Sequence, residues 1–158
     1  MKTGLVLEGG AMRGMYTAGV MDIFMEEGFA FDGIIGVSAG ALFGVNYLSG
    51  QKGRVIRYNK RFNAEPDYLG LRPLLRTGNI VDTEYAYHRV PYELDVFDDA
   101  AYRASGVPFY AVVTNVETGM PEYIQVNSVF EQMDVLRASG SMPFVSKPVE
   151  IGGKKYLD

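Results

Sequence analysis

At 158 residues, with 47% hydrophobic and 22% charged residues, the chain has room for a single domain, 1–158, with a real core, and its composition excludes disorder. The absence of cysteine excludes a disulfide framework and thiolate metal sites, and one histidine, His88, cannot supply a multi-histidine zinc site. A net charge of −4 gives no overall attraction to nucleic acid, which is excluded as a partner.

The N-terminal residues reach a charge at Glu8 after only a short apolar run, too short for a signal-peptide core, which predicts a cytoplasmic location. Gly4–Glu8 reads as a buried parallel strand ending in glycines, and Gly14–Glu26 as the helix that follows. After a turn at Gly28 the pattern repeats, with a strand over Gly33–Val37 and a largely buried helix over Ala39–Leu48. Gly33–Gly50 is uncharged throughout, but its five glycines with Ser38, Asn46 and Ser49 argue for a buried strand, turn and helix rather than a membrane span. Two strand-turn-helix units in succession predict a three-layer α/β/α arrangement with a mostly parallel central sheet.

Arg54–Phe62 is a further predicted helix, on which Arg54, Arg57 and Arg61 share one face. With Lys52 and Lys60 they read as a solvated helix face in preference to a headgroup patch for transient contact with a membrane surface. Glu65–Pro91, with Pro66, Pro73, Pro91 and Gly78-Asn79, reads as irregular. Val107–Val116 and Glu122–Val126 form a predicted hairpin, Ser128–Ala138 a helix with a serine cap, and Pro148–Ile151 with Lys154–Leu157 a second hairpin around Gly152-Gly153. The eight methionines and 13% aromatic residues read as plain core in preference to the lining of an acyl pocket.

Gly36-Val37-Ser38-Ala39-Gly40 is a G-x-S-x-G between a predicted strand and a predicted helix, the setting of a nucleophile elbow. Small neighbours permit the sharp turn, and a helix N-terminus favours negative charge beside the serine. Gly9-Gly10-Ala11-Met12-Arg13-Gly14 occupies the equivalent place after the first strand, where backbone N–H groups can face an anion. A dinucleotide fingerprint would need glycine at Ala11 and an acid where Ser38 stands, and a P-loop would need Lys and Ser/Thr at Met15 and Tyr16. The loop therefore reads as an oxyanion hole, brought beside Ser38 because neighbouring parallel strands end side by side. His88, in Tyr85-Ala86-Tyr87-His88-Arg89, has no glycine turn or strand end to place it at a site and reads as a structural or surface residue. That leaves a carboxylate as base, and composition does not choose among 19.

Leu7-Glu8-Gly9-Gly10-Ala11-Met12-Arg13-Gly14, Gly36-Val37-Ser38-Ala39-Gly40, Ala138-Ser139-Gly140-Ser141-Met142-Pro143 and Lys154-Lys155-Tyr156-Leu157-Asp158 together resemble the successive blocks of the patatin-like phospholipases, across the whole chain. The resemblance implies a Ser–Asp dyad without histidine: Ser38 as nucleophile, Asp158 as base and the Gly9–Gly14 loop as oxyanion hole, with no metal or cofactor. It implies hydrolysis of fatty-acyl esters of phospholipids or related lipids. A general carboxylesterase and a non-catalytic lipid-binding or regulatory module on the same fold stay open as alternatives. Asp158 matches the first position of the family's Asp-Gly-Gly or Asp-Gly-Ala motif, and Ala11 stands where many members carry a third glycine. The glycines after Asp158 are absent, so the chain reads as the N-terminal portion of a longer protein, with self-association as a further expectation.

Overall fold

The computed structural model describes residues 2–158. Strand β1 (Gly4–Leu7) leads through a 3-10 turn, Ala11–Arg13, into helix α1 (Gly14–Glu26), and β2 (Gly33–Val37) leads into α2 (Ala39–Leu48). Helices α3 (Arg54–Phe62), α4 (Leu71–Thr77) and α5 (Asp99–Ala104) follow, with a π-helical segment, Tyr85–Leu94, between the last two. The chain closes with β3 (Phe109–Asn115), β4 (Pro121–Gln125), α6 (Met133–Ser139), β5 (Val149–Ile151) and β6 (Lys154–Leu157). Among the described residues no helix is long and apolar enough to cross a membrane.

The protein has the expected α/β class, with a mixed sheet whose strands β1, β2 and β3 run parallel. Because these strands lie side by side in chain order, right-handed crossovers place α1 and α2 on the same face. There Leu7, Ile34, Phe109 and Ala111 of the sheet pack with Met21, Phe43, Val45 and Leu136 of the helices. The register puts Val6, Ile35 and Tyr110 on the other face, where Val6 is 78% exposed and Tyr110 and Tyr123 are also open. Among the described residues, α1, α2 and α6 thus cover one face of the sheet. β1 is parallel but is an edge strand, so only its Leu7 is buried.

Strand β3 organises the rest. Tyr110–Val112 pair with both β2 and β4, so those two strands flank β3 on opposite sides. Thr114 pairs with both Pro121 of β4 and Leu157 of β6, which puts β6 on the side of β2. Parallel β2 and antiparallel β6 therefore approach each other end to end along one edge of β3. Glu122 of β4 fastens this arrangement across β3, accepting from Tyr156 Oη (2.7 Å), Asn115 Nδ2 (2.8 Å) and Lys154 Nζ (3.1 Å).

Three sequence expectations need correction. Glu65–Pro91 is not irregular: α4 lies between Gly70 and Gly78, and Pro73 sits in its first turn, where no N–H is needed. Pro91 lies within the π-helical segment, whose wider ring is seen where Asp95 N–H donates to Val90 O at 2.9 Å. The helix expected from Ser128 starts at Met133, because buried Asp99 accepts from Val129 N–H (2.6 Å), Phe130 N–H and Ser128 Oγ (3.0 Å) and wraps that stretch into a turn. Arg54 is not on a solvated face. It is 4% exposed and paired with Asp95 at 3.3 Å, while Arg57 meets the same carboxylate from outside at 2.7 and 2.8 Å.

Three donors hold the Glu122 carboxyl at about 2, below its ordinary 4.5, the Tyr156 hydroxyl first among them. A depressed carboxylate contributes stability that is present above its unfolded value and lost as pH falls through its folded value. Between pH 4.5 and 2 the wild-type melting temperature should therefore fall more steeply than that of Glu122→Gln, and amide exchange at Tyr156 and Leu157 should quicken. Parallel melting curves of the two proteins over this range would show Glu122 not to matter.

Candidate active site

Ser38 occupies the turn between β2 and α2 with φ 55° and ψ −124°, a conformation rare for a residue with a side chain and one that only a tightly packed surrounding sustains. The packing depends on missing side chains. A Cβ on Gly36 would lie 2.5 Å from Gly40 O, one on Gly40 would lie 2.3 Å from Leu7 O, and one on Gly14 would press on Ala39 and Phe43 at 2.9 Å. The flanking residues Gly36, Val37, Ala39 and Gly40 thus form the sharp strand-to-helix turn expected from their spacing, with β1 packed directly beneath it.

The Gly9–Gly14 loop lies beside this turn. A Cβ on Gly9 would approach Ser38 Cβ at 3.0 Å, and Ala11 stands at φ 48°. Within the loop, Arg13 N–H donates to Gly10 O at 3.0 Å and Gly14 N–H turns back to Ala11 O and Met12 O. Those two amides are taken up within the loop. Gly10, Ala11, Met12 and Arg13 line an open cleft together with Ser38, Met142 and Asp158.

Asp158 follows directly after β6. Leu157 pairs with Thr114 and Val37 pairs with Val112, so Asp158 and Ser38 project from facing strand ends and meet opposite the middle of β3. The Ser38 hydroxyl and the Asp158 carboxylate face the same cleft. Burial raises the carboxylate's pKa above the ordinary 3.8, and the nearby Ser38 hydroxyl, which favours the charged form, offsets only part of that shift. The Asp158 backbone N–H donates to Ser141 O at 2.9 Å. His88 lines neither the cleft nor the cavity below and stacks on Tyr92 at 6.2 Å.

Sequence reasoning did not single out Ser139, which is fully buried. Its Oγ accepts from Ser38 N–H at 2.9 Å and donates to Val112 O at 2.7 Å, filling the gap that β2 and β6 leave on the edge of β3. The only signal was its place in the Ala138–Pro143 block.

From Ser38 a cavity of about 240 Å³ runs inward. Ala39, Leu42 and Phe43 of α2 and Met133 and Leu136 of α6 form an apolar wall, so Phe43 and Met133 line a cavity where the aromatic residues and methionines were expected to be plain core. Tyr87, from the stretch taken as irregular, also lines the cavity, and burial drives its phenol well above the ordinary 10 so that it stays neutral.

The model of the family described as patatin-like phospholipase matches residues 5–158. The chain is 32% identical to the uncharacterised protein YjjU of Escherichia coli (strain K12), over 98% of this chain and 44% of that protein. It is 26% identical to an uncharacterised NTE family protein of Mycobacterium tuberculosis (strain H37Rv), over 99% of this chain and 42% of that one, and equally to an uncharacterised NTE family protein of Mycobacterium bovis. The chain therefore spans less than half the length of these relatives. With its blocks in family order and the match covering nearly all of its residues, the chain belongs to the patatin-like phospholipase family.

Proposed function

We propose that the protein is a serine acyl hydrolase that cleaves fatty-acyl esters of phospholipids or related lipids. The observation that carries this reading is the strained Ser38, facing the same cleft as Asp158, at the mouth of an apolar cavity. In the proposed reaction Asp158 takes the hydroxyl proton as Ser38 Oγ attacks the ester carbonyl. The amides of Gly10, Ala11 and Met12 stabilise the oxyanion, where such donors contribute several kcal/mol, roughly 3–4 each, to lowering the barrier. Collapse expels the alcohol, which carries off the proton held by Asp158 and leaves an acyl-Ser38 ester. Water, giving its proton to Asp158, then attacks the acyl carbon, and the fatty acid departs as the proton returns to Ser38.

A lipid surface suits the mouth of this site. Phe144 is fully exposed near Met142, and Leu71 and Leu75 project from α4. The segment that follows α4 is tied to the Phe144 loop through Ile80 N–H to Val145 O and Lys147 N–H to Asn79 Oδ1, each 2.8 Å. We read these residues as the part of the molecule that meets a membrane surface during turnover.

A fluorophosphonate should label wild-type protein at Ser38 and leave both Ser38→Ala and Ser38→Gly unlabelled and inactive. Glycine relieves the positive φ, so Ser38→Gly should also be more stable than Ser38→Ala by about 1 kcal/mol. Labelling that survives in either folded variant removes Ser38 as nucleophile, whereas wild-type protein that stays unlabelled favours the non-catalytic reading.

Asp158→Asn should lower kcat/KM by roughly 10²–10⁴. Because burial raises the Asp158 pKa, its ionised form is disfavoured in the fold, and the resulting stability is present at low pH and lost as pH rises through the folded value. Asp158→Asn should accordingly melt higher than wild type at pH 7, and wild-type activity should fall on the acid side at a pH above 3.8. An active Asp158→Asn enzyme would exclude the dyad.

A side chain at Gly9 meets Ser38 at 3.0 Å, whereas one at Gly10 makes ordinary contacts, with the Arg13 side chain at 3.6 Å and Gly14 N at 3.9 Å. Gly9→Ala should therefore lose more turnover than Gly10→Ala at similar folded yield. The reverse order would place the anion-binding amides elsewhere.

A further inference from the structure

Within the mostly apolar lining of the cavity α3 and the residue following it contribute polar side chains, those of Arg54, Tyr58, Asn59 and Asn63. A plain alkyl chain makes no hydrogen bonds to these groups and displaces the water that would otherwise satisfy them, so it leaves part of their bonding capacity unmet.

The polar groups are ordered along the cavity. Asn63 Nδ2 reaches Met12 Sδ at 3.2 Å, close to the mouth. Arg54 lies at the inner end, where its Nη1 donates to Asn46 Oδ1 at 2.8 Å, eight residues beyond Ser38 on α2. Those eight residues measure about 12 Å of helix. The volume gives a consistent depth, since about 240 Å³ holds roughly eight groups the size of a water molecule or a methylene.

Arg54 is held in place by Asp95 and sandwiched between the rings of Tyr58 and Phe97, whose centroids lie 5.2 and 5.4 Å from its guanidinium carbon. Its bonds to Asn46 Oδ1 and, through Nε and Nη2, to Asp95 O use three of the five N–H groups a guanidinium carries, leaving two. Asp95 is shared between Arg54 and the solvent-exposed Arg57. A carboxylate brought to this depth would still lose its hydration as an ion, a cost that a neutral oxygen avoids.

Resting on the hydrolase reading, we propose that the inner end of the cavity is a subsite for a neutral oxygen-bearing group, hydrogen-bonded by Arg54 and Tyr58. The preferred acyl group is then a medium-length chain with a hydroxyl at or near its far end. A site built to bond a hydroxyl discriminates strongly against the analogue lacking it, whereas an apolar pocket barely distinguishes the two.

The test compares p-nitrophenyl esters of octanoic, 8-hydroxyoctanoic and hexadecanoic acid on wild type and Tyr58→Phe. Wild type should show kcat/KM at least about tenfold higher for the 8-hydroxyoctanoate than for the octanoate, and lower still for the hexadecanoate. In Tyr58→Phe the ratio of the first two should fall towards one. Equal or better turnover of the octanoate or the hexadecanoate by wild type, or an unchanged ratio in Tyr58→Phe, overturns the subsite. Calorimetric binding of octanoic and 8-hydroxyoctanoic acid to Ser38→Ala protein reads the same preference without turnover. If wild type hydrolyses no ester and resists fluorophosphonate, the hydrolase reading fails, and these two affinities still decide the subsite: tighter 8-hydroxyoctanoic acid keeps it, and equal or weaker binding removes it.

Discussion

The edge of β3 is shared by two strands that run toward each other, and the placement of the site follows from that arrangement. β2 leaves the edge at Val37 opposite Val112, and β6 arrives at Leu157 opposite Thr114. The interval would expose a carbonyl and strand a buried amide, each costing about 1–3 kcal/mol if unpaired. Ser139 satisfies both with one hydroxyl, accepting from Ser38 N–H and donating to Val112 O. α6 presents that hydroxyl because its C-terminal end packs over β3 and β6, and Ser141, just beyond it, takes the Asp158 amide. Two side chains 120 residues apart in the chain meet because both strand ends are anchored to the same short stretch of sheet.

Strain and packing are coupled here. The conformation of Ser38 costs of order 1–3 kcal/mol on its own. It persists because Gly36, Gly40, Gly14 and Gly44 let β1, β2, α1 and α2 approach until any added Cβ would collide with backbone or with Phe43, Leu7 or Phe109. The same close approach sets the floor of the cavity, since Ala39, Leu42 and Phe43 of α2 are also its wall. Relaxing the turn would therefore both move the serine and reshape the space beside it.

Elements whose apolar period matches their local environment were legible in the sequence. The boundaries of α1, β2, α2 and α3 are those read from pattern and breakers alone, and the elbow and glycine loop could be placed at strand ends. What escaped depends on long-range partners. Nothing local to Ser128 shows that Asp99 will take its neighbours' amides, and nothing in Arg54 distinguishes it from Arg57 until Asp95 and Asn46 close around it. Prolines at 73 and 91 marked irregular structure because their tolerated positions, a first helical turn and a π-helical segment, are defined only once the helix is known. Ser139 was visible as part of a block, but its role requires knowing that two strands end against each other.

That geometry also suits the proposed dyad, whose base has a short side chain. When serine and base arise from facing strand ends, the distance between them is short enough for a carboxylate one carbon from the backbone. An imidazole is larger and, in a triad, needs a third group behind it to fix its tautomer and orientation. In this fold orientation comes from the Asp158 amide bond to Ser141 O and from β6 pinned through Glu122. The sheet thus supplies the rigidity that a third side chain supplies elsewhere. A carboxylate of ordinary pKa is a poor base for a hydroxyl, and the burial that seats Asp158 in this gap also raises its pKa, so position and basicity have one cause.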